Sequence, residues 1–300
     1  MKKRVKKIVI FFGIIAFIFS IIIVFFFQKF HSQFDDRKVL LELQKNNIRT
    51  QSNFIPFKNY KIHAIHIGDL KKPKILFIHG SPGVWFDFKN IFKDSLLRTK
   101  FCMISYDRPG YGLTNIPVQT SLKNQAQVAA RVMDYFGASS EKFIVVGHSY
   151  GGAILEQSIL DYPDKISNAI YVAPCLSPKY QKARWYNIIA SGGLSKRLIP
   201  HDLSVSNMEM MALSENLEKN ENRLCDINVS TFYIQGKKDV LVPYKTLYYY
   251  LQFQKNVNYR LMNDVNHFIP WSNPEIMIQA ILDQKMKNES DDNLTEQNNQ

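Results

Sequence analysis

The stretch EKFIVVGHSYGGAILEQSILDYPD, Glu141 to Asp164, decides how the chain is read. Phe143 to Val146 has the β-branched and aromatic character of a short buried strand, and Ala153, Ile154, Gln157, Ser158 and Leu160 follow at helical spacing. Ser149 therefore falls where strand becomes helix, with Gly147 two residues before it and Gly151 two residues after. So sharp a reversal strains its apex residue, and flanking residues without a Cβ let neighbouring backbone come close. A G-x-S-x-G turn meets both needs and holds the serine hydroxyl clear of the sheet, beside the start of the next helix. A glycine-rich turn with a capping serine would look the same locally, so the rest of the chain must discriminate.

The 300 residues, 46% hydrophobic and 21% charged, suffice for one large domain with a substantial core, and exclude a disordered or repeat protein. The net charge is +12, but Lys2, Lys3, Arg4, Lys6 and Lys7 supply five of those charges before the fold begins. The rest are scattered, without an aromatic RNA-binding signature or a zinc-ligand cluster, so no nucleic-acid partner is expected. Cys102, Cys175 and Cys225 are well separated and lack CxxC spacing, which points to neither a metal site nor a disulfide scaffold. No cofactor and no metal are expected, and nothing in the sequence speaks to oligomeric state.

Ile8 to Phe27 is an uncharged, overwhelmingly apolar run. At ~1.5 Å per residue it spans ~30 Å, the hydrocarbon thickness of a bilayer. A secretory signal peptide has a shorter apolar region followed by a small-residue cleavage site; here Gln28-Lys29-Phe30-His31 follows. An uncleaved signal anchor is expected, with a cleaved signal peptide as the alternative. The basic residues ahead of the run outweigh the mixed charges behind it, so the N-terminus is expected in the cytoplasm and the domain on the extracytoplasmic side, periplasmic or extracellular. The expected division is a basic segment and membrane anchor at 1–28, a stalk at 29–52 with a short helix around Arg37 to Gln44, a folded domain at 53–287, and a disordered polar tail at 288–300.

Within the domain, strand signals at 60–67, 74–78, 101–106, 143–147, 168–173, 230–235 and 257–262 alternate with helical segments, the first strand starting near Tyr60. Such alternation predicts an α/β domain with a mainly parallel central sheet and flanking helices. From about 174 to 226 no strand signal appears, and the interval reads as an inserted, mostly helical cap.

A serine hydroxyl needs a base to take its proton, and the base needs an acid to hold its tautomer. Both are expected downstream of the turn. His267, in the loop NDVNHFIPW after the last strand, is the candidate base; His201 falls in the cap. Asp239, after the strand and Gly turn of TFYIQGKKDVLVP, is the candidate acid, and Asp264, on the same loop as His267, is its rival. The strand ending at Ala173 offers no carboxylate in PCLSP. The oxyanion of an acyl-transfer intermediate needs backbone donors: Tyr150, just after the serine, and Ser81, in the loop IHGSPG, are the candidates. His79 and His148 read as holding these loops. All these groups lie outside 174–226, so the cap is expected to set specificity and leave reactivity alone.

HGSPG, YDRPGYG, GHSYGG, GKKDVLVP and NHFIPW stand in the order found in the α/β-hydrolase superfamily, which the chain resembles over roughly residues 55–285. The resemblance implies Ser149, Asp239 and His267 as catalytic triad, Ser81 and Tyr150 as oxyanion hole, 174–226 as cap, and Asp107 and Arg108 as loop supports. Haloalkane dehalogenases and epoxide hydrolases resemble the first motif but use an aspartate nucleophile, where this chain has Ser149. Proline iminopeptidases share an HGxPG-like loop but usually carry Trp where this chain has Tyr150. The expected function is hydrolysis of a small-molecule or lipid carboxylic ester through an acyl-enzyme. C–C hydrolysis, cofactor-free haloperoxidase and aminopeptidase activity on the same scaffold, or a silent membrane-tethered binding protein, stand as alternatives.

Overall fold

The computed structural model describes residues 35–193, 199–255 and 257–284. The expected anchor, Ile8 to Phe27, and the expected tail, 288–300, lie outside the described residues. Among the described residues no helix is long and apolar enough to cross a membrane. The chain forms two compact units, Met1–Leu40 and Leu41–Gln300. In the first, the Asp35 carboxylate accepts from the amides of Arg37 and Lys38 at the start of helix α1 (Asp36–Lys45). The second holds the sheet and every candidate residue.

Eight strands form one sheet in the order β1-β2-β4-β3-β5-β6-β7-β8. They are β1 (Thr50–Phe57), β2 (Tyr60–Ile67), β3 (Lys74–Ile78), β4 (Cys102–Tyr106), β5 (Phe143–His148), β6 (Ile166–Val172), β7 (Ser230–Gly236) and β8 (Asn258–Met262). β1 pairs antiparallel with β2, and β2 with β4; every other pairing is parallel. Strands β3, β4 and β5 are buried along their whole length, as continuous apolar runs covered on both faces must be.

Helices α2 (Lys89–Phe92), α3 (Ser95–Lys100), α4 (Leu122–Phe136), α5 (Tyr150–Asp161), α6 (Trp185–Ala190), α7 (His201–Asn220), α8 (Lys245–Tyr250) and α9 (Ile269–Ser272) alternate with the strands, and a last helical stretch covers 274–284. Ser121 caps α4, its hydroxyl accepting from the Asn124 amide, and the apolar face of α4 packs on α5.

One expectation changes. The stalk expected at 29–52 runs into β1, a strand that the sequence hides because Pro56 interrupts it and only Ile55 along it is buried, the pattern of an edge strand. In the interval 174–226 the structure shows α6, α7 and a 3-10 turn at Glu221–Asp226, with no strand among the described residues. This interval is part of the core: Cys175, Leu176, Leu213, Leu217 and Leu224 are buried in one cluster with Ile154 and Leu155 of α5.

Candidate active site

Ser149 stands between β5 and α5 at φ 54 and ψ −119, a left-handed conformation costly for any residue with a Cβ. Its amide donates to Val172 O at 2.9 Å, and its carbonyl accepts from Gly152 N and Cys175 N, both at 3.0 Å. The flanking glycines have a measurable reason. A Cβ on Gly147 would stand 2.5 Å from Gly151 O, and one on Gly151 would stand 2.2 Å from Ile78 O. Gly80 closes on the same spot, since its Cβ would lie 3.1 Å from Ser149 Cβ.

Two loops bring the other candidates together. Asp239, after β7, accepts from Nδ1 of His267, after β8, at 2.7 Å. The carboxylate also accepts from Gln235 Nε2 at 3.1 Å, Leu241 N at 2.9 Å and Val242 N at 2.7 Å. With the aspartate oxygens engaged as acceptors, the imidazole hydrogen sits on Nδ1 and Nε2 is left to accept a proton. Asp264 does not join this pair: it is exposed and bonds Lys238 Nζ at 2.8 Å. His201 Nε2 meets Gly110 O at 3.0 Å, in a different loop. His148 Nε2 donates to His267 O at 3.1 Å and so fastens the loop that carries the candidate base. Burial, with His267 close by, pushes the His148 imidazole down to about 3, so it is a neutral fastener.

Ser149 Oγ meets no imidazole within hydrogen-bond distance among the described residues; its polar neighbour is Cys175 Sγ at 3.7 Å. Contacts that act in catalysis are often long in a free enzyme and tighten with substrate. Nothing in PCLSP, which lacks a carboxylate, marks Cys175 as a neighbour of Ser149. Burial pushes its thiol up to about 12, so it stays protonated beside the serine. Cys102, Cys175 and Cys225 are all free thiols.

The loop after β3 carries Ser81, whose N–H has no acceptor among the described residues. Tyr150 opens α5, so its N–H is among the four that a helix leaves unpaired. His79 is wholly buried; its Nε2 accepts from Arg108 N at 3.1 Å and its Nδ1 donates to Gly80 O at 2.8 Å, the loop-holding role expected of it.

The larger omission is Glu209, in α7. It is fully buried, with Oε1 accepting from Arg108 Nη1 at 2.5 Å and Gln125 Nε2 at 2.7 Å. Oε2 accepts from Tyr111 OH at 2.8 Å and from the Ser81 hydroxyl at 2.5 Å. Arg108, lying over the rings of Tyr111 and Tyr150, also donates from Nη2 to Gly80 O at 2.7 Å. The cap interval is therefore bonded directly to the loop that carries a candidate oxyanion donor. Whether it leaves reactivity alone therefore turns on what Glu209 does for that loop.

Residues 75–226 match the Alpha/beta hydrolase family. Epoxide hydrolase 1 of Caenorhabditis elegans is 28% identical over 120 residues, 40% of this chain and 29% of that protein. Proline iminopeptidase of Elizabethkingia meningoseptica is 24% identical over 183 residues, 60% of this chain and 58% of that protein. The chain thus spans less than two thirds of the length of either relative. Among solved structures, 2-hydroxy-6-oxo-6-phenylhexa-2,4-dienoate hydrolase from Rhodococcus sp. strain RHA1 superposes with a TM-score of 0.63 at 17% identity, covering 79% of this chain and 98% of that one, a likeness of fold. With more than half of its length inside the matched span, including β3, the turn at Ser149 and α7, the chain belongs to the alpha/beta hydrolase family.

Proposed function

We propose that the protein is a serine hydrolase that cleaves carboxylic esters, of small molecules or lipids, through an acyl-enzyme on Ser149. The observation that carries this reading is a strained serine at the end of β5, combined with a His267–Asp239 pair at the ends of β7 and β8, which lie beyond β6 on the same parallel side of the sheet. Ser149 Oγ attacks the ester carbonyl while its proton passes to His267 Nε2, and Asp239 holds the ring. The oxyanion is received by the N–H groups of Ser81 and Tyr150. Collapse of the intermediate expels the alcohol with the proton from His267, and water repeats the sequence to release the acid.

Epoxide opening by the relatives' route, with an aspartate nucleophile, is disfavoured because serine stands at position 149. Trp185, Tyr186 and Ile188 are exposed on α6, a surface suited to an apolar acyl or alcohol group. In the same proposal Ile8 to Phe27 anchors the chain, with the catalytic domain on the extracytoplasmic side.

The test is a fluorophosphonate probe mapped to the residue it modifies, with p-nitrophenyl esters of increasing chain length as substrates. Modification of Ser149 and turnover of the esters are expected. A folded protein unmodified at Ser149 overturns the reading, and preference for a proline p-nitroanilide moves it to aminopeptidase chemistry.

A further inference from the structure

At the antiparallel edge of the sheet, where β2 lies three strands and β1 four strands from β5, stands a second serine–histidine–aspartate array. Ser52 Oγ of β1 is 3.0 Å from Nε2 of His63 in β2, and His63 Nδ1 is 2.7 Å from Asp107 Oδ2, in the loop after β4. The strand pairing accounts for the approach. Phe54 faces His63 across the ladder and Ser52 lies two residues from Phe54, so Ser52 and His63 point to one side of the sheet.

His63 is held rigidly. Its N–H donates to Thr114 Oγ1 at 2.9 Å, its carbonyl accepts from Asp107 N at 2.9 Å, and its ring lies against that of Phe54 at 5.2 Å. Asp107 also accepts from Trp85 N and Leu113 N, both at 3.0 Å. As at Asp239, aspartate oxygens engaged as acceptors leave the imidazole hydrogen on Nδ1, and Nε2 accepts from the Ser52 hydroxyl. The His63 backbone and Asp107 fasten the loop after β4, and the array continues past them through the buried imidazole to an exposed hydroxyl.

We propose that Ser52, His63 and Asp107 form a second nucleophilic site, at which Ser52 is modified by acyl and phosphonyl donors that carry a good leaving group. In the step, the Ser52 Oγ–H proton passes to His63 Nε2 as Oγ bonds to the electrophilic carbon or phosphorus. The bond to the leaving group breaks with its electron pair, so that an aryl ester gives aryloxide and a fluorophosphonate gives fluoride. His63 then returns the proton to the leaving group or to water. Base and ring-holder alone suit such reactive donors; Ser149 additionally has the amides of Ser81 and Tyr150 at hand.

The test uses the full chain carrying Ser149→Ala, treated with a fluorophosphonate probe and read residue by residue by peptide mass spectrometry. Ser139 and Ser140, also exposed, serve as internal controls. General-base assistance is worth at least ~100-fold, so Ser52 is expected to be phosphonylated ~100-fold faster than either control. Ser52→Ala in the same background is expected to remove the fast-reacting fraction. A Ser52 rate equal to that of the controls, or a fast fraction that survives Ser52→Ala, overturns the proposal. Modification of Ser149 in the unmutated chain is a separate readout, so the outcome at Ser52 leaves the assignment at Ser149 untouched.

Discussion

Asp239 accepts four hydrogen bonds, and replacing one of its oxygens by an amide nitrogen turns an acceptor into a donor. Asp239→Asn is expected to keep the fold but hold the wrong tautomer of His267, lowering kcat by up to ~10,000-fold, whereas the exposed Asp264→Asn should matter little. Circular dichroism and ester kinetics on both variants check this, and the reverse order of effects would show the acid to be misassigned. Ser149→Ala and His267→Ala should each remove nearly all turnover, with the double variant little worse than either, because the two side chains act as one unit; additive losses would contradict that. Away from the site, Glu156 in α5 is buried and its carboxyl is pushed up from 4.5 to about 8. The unfolded chain loses this proton near 4.5 and the folded chain near 8, so between those values the folded state holds more protons and stability falls as pH rises. Asp87, raised by burial to about 8 with Asp107 beside it, acts with the same sign. Glu156→Gln, neutral at every pH, should reduce the slope by at most ~1.4 kcal/mol per pH unit. Denaturation curves at the two ends of the window measure it, and an unchanged slope would mean that Glu156 does not hold its proton.

Helix α7 ties the cap interval to the loops of the candidate site. Through Glu209 it meets Arg108 and Ser81, partners 101 and 128 positions away in sequence. Glu209→Ala leaves the guanidinium of Arg108 buried and unpaired, which should cost about 3–5 kcal/mol of stability. Glu209→Gln keeps the shape and should fold better, but with Ser81 and Gly80 less firmly held it should lower kcat more than it raises KM; an unchanged kcat would separate the cap from the reacting geometry. The turn at Ser149 was legible because its requirements are local: one strained residue and two glycines within five positions. Asp239 and His267 were legible because each follows a strand on its own short loop, and the order of strands brings the loops together. Glu209 was not, because a carboxylate on a helix reads as solvated until the fold buries it. Nor was β1, whose single buried residue, Ile55, leaves no apolar run. Cys175 was not, because only the fold brings its backbone N–H to the Ser149 carbonyl and its thiol beside the Ser149 hydroxyl.

For the whole molecule, the open matter is what the proposed anchor contributes to chemistry. The unit Leu41–Gln300 contains the sheet, the His267–Asp239 pair, Ser149 and the Glu209 cluster, so every residue named in the proposed reaction lies outside Ile8 to Phe27. Intact protein should be membrane-bound, should resist extraction by high salt and should require detergent, because the holding energy is apolar and salt screens only charges. A chain beginning at Phe30 retains α1, the whole second unit and the site. It should be soluble and hydrolyse water-soluble short-chain esters about as fast as intact protein, while losing rate on esters embedded in a bilayer, which only a tethered enzyme meets at high local concentration. Because Lys2 to Lys7 precede the apolar run, protease added outside intact cells stripped of any wall should digest the domain. Protection from that protease would overturn the orientation. A mature N-terminus found beyond Phe27 would replace the anchor with a cleaved leader, and loss of short-chain ester turnover in the folded, shortened chain would show that the N-terminal segment acts on the site itself.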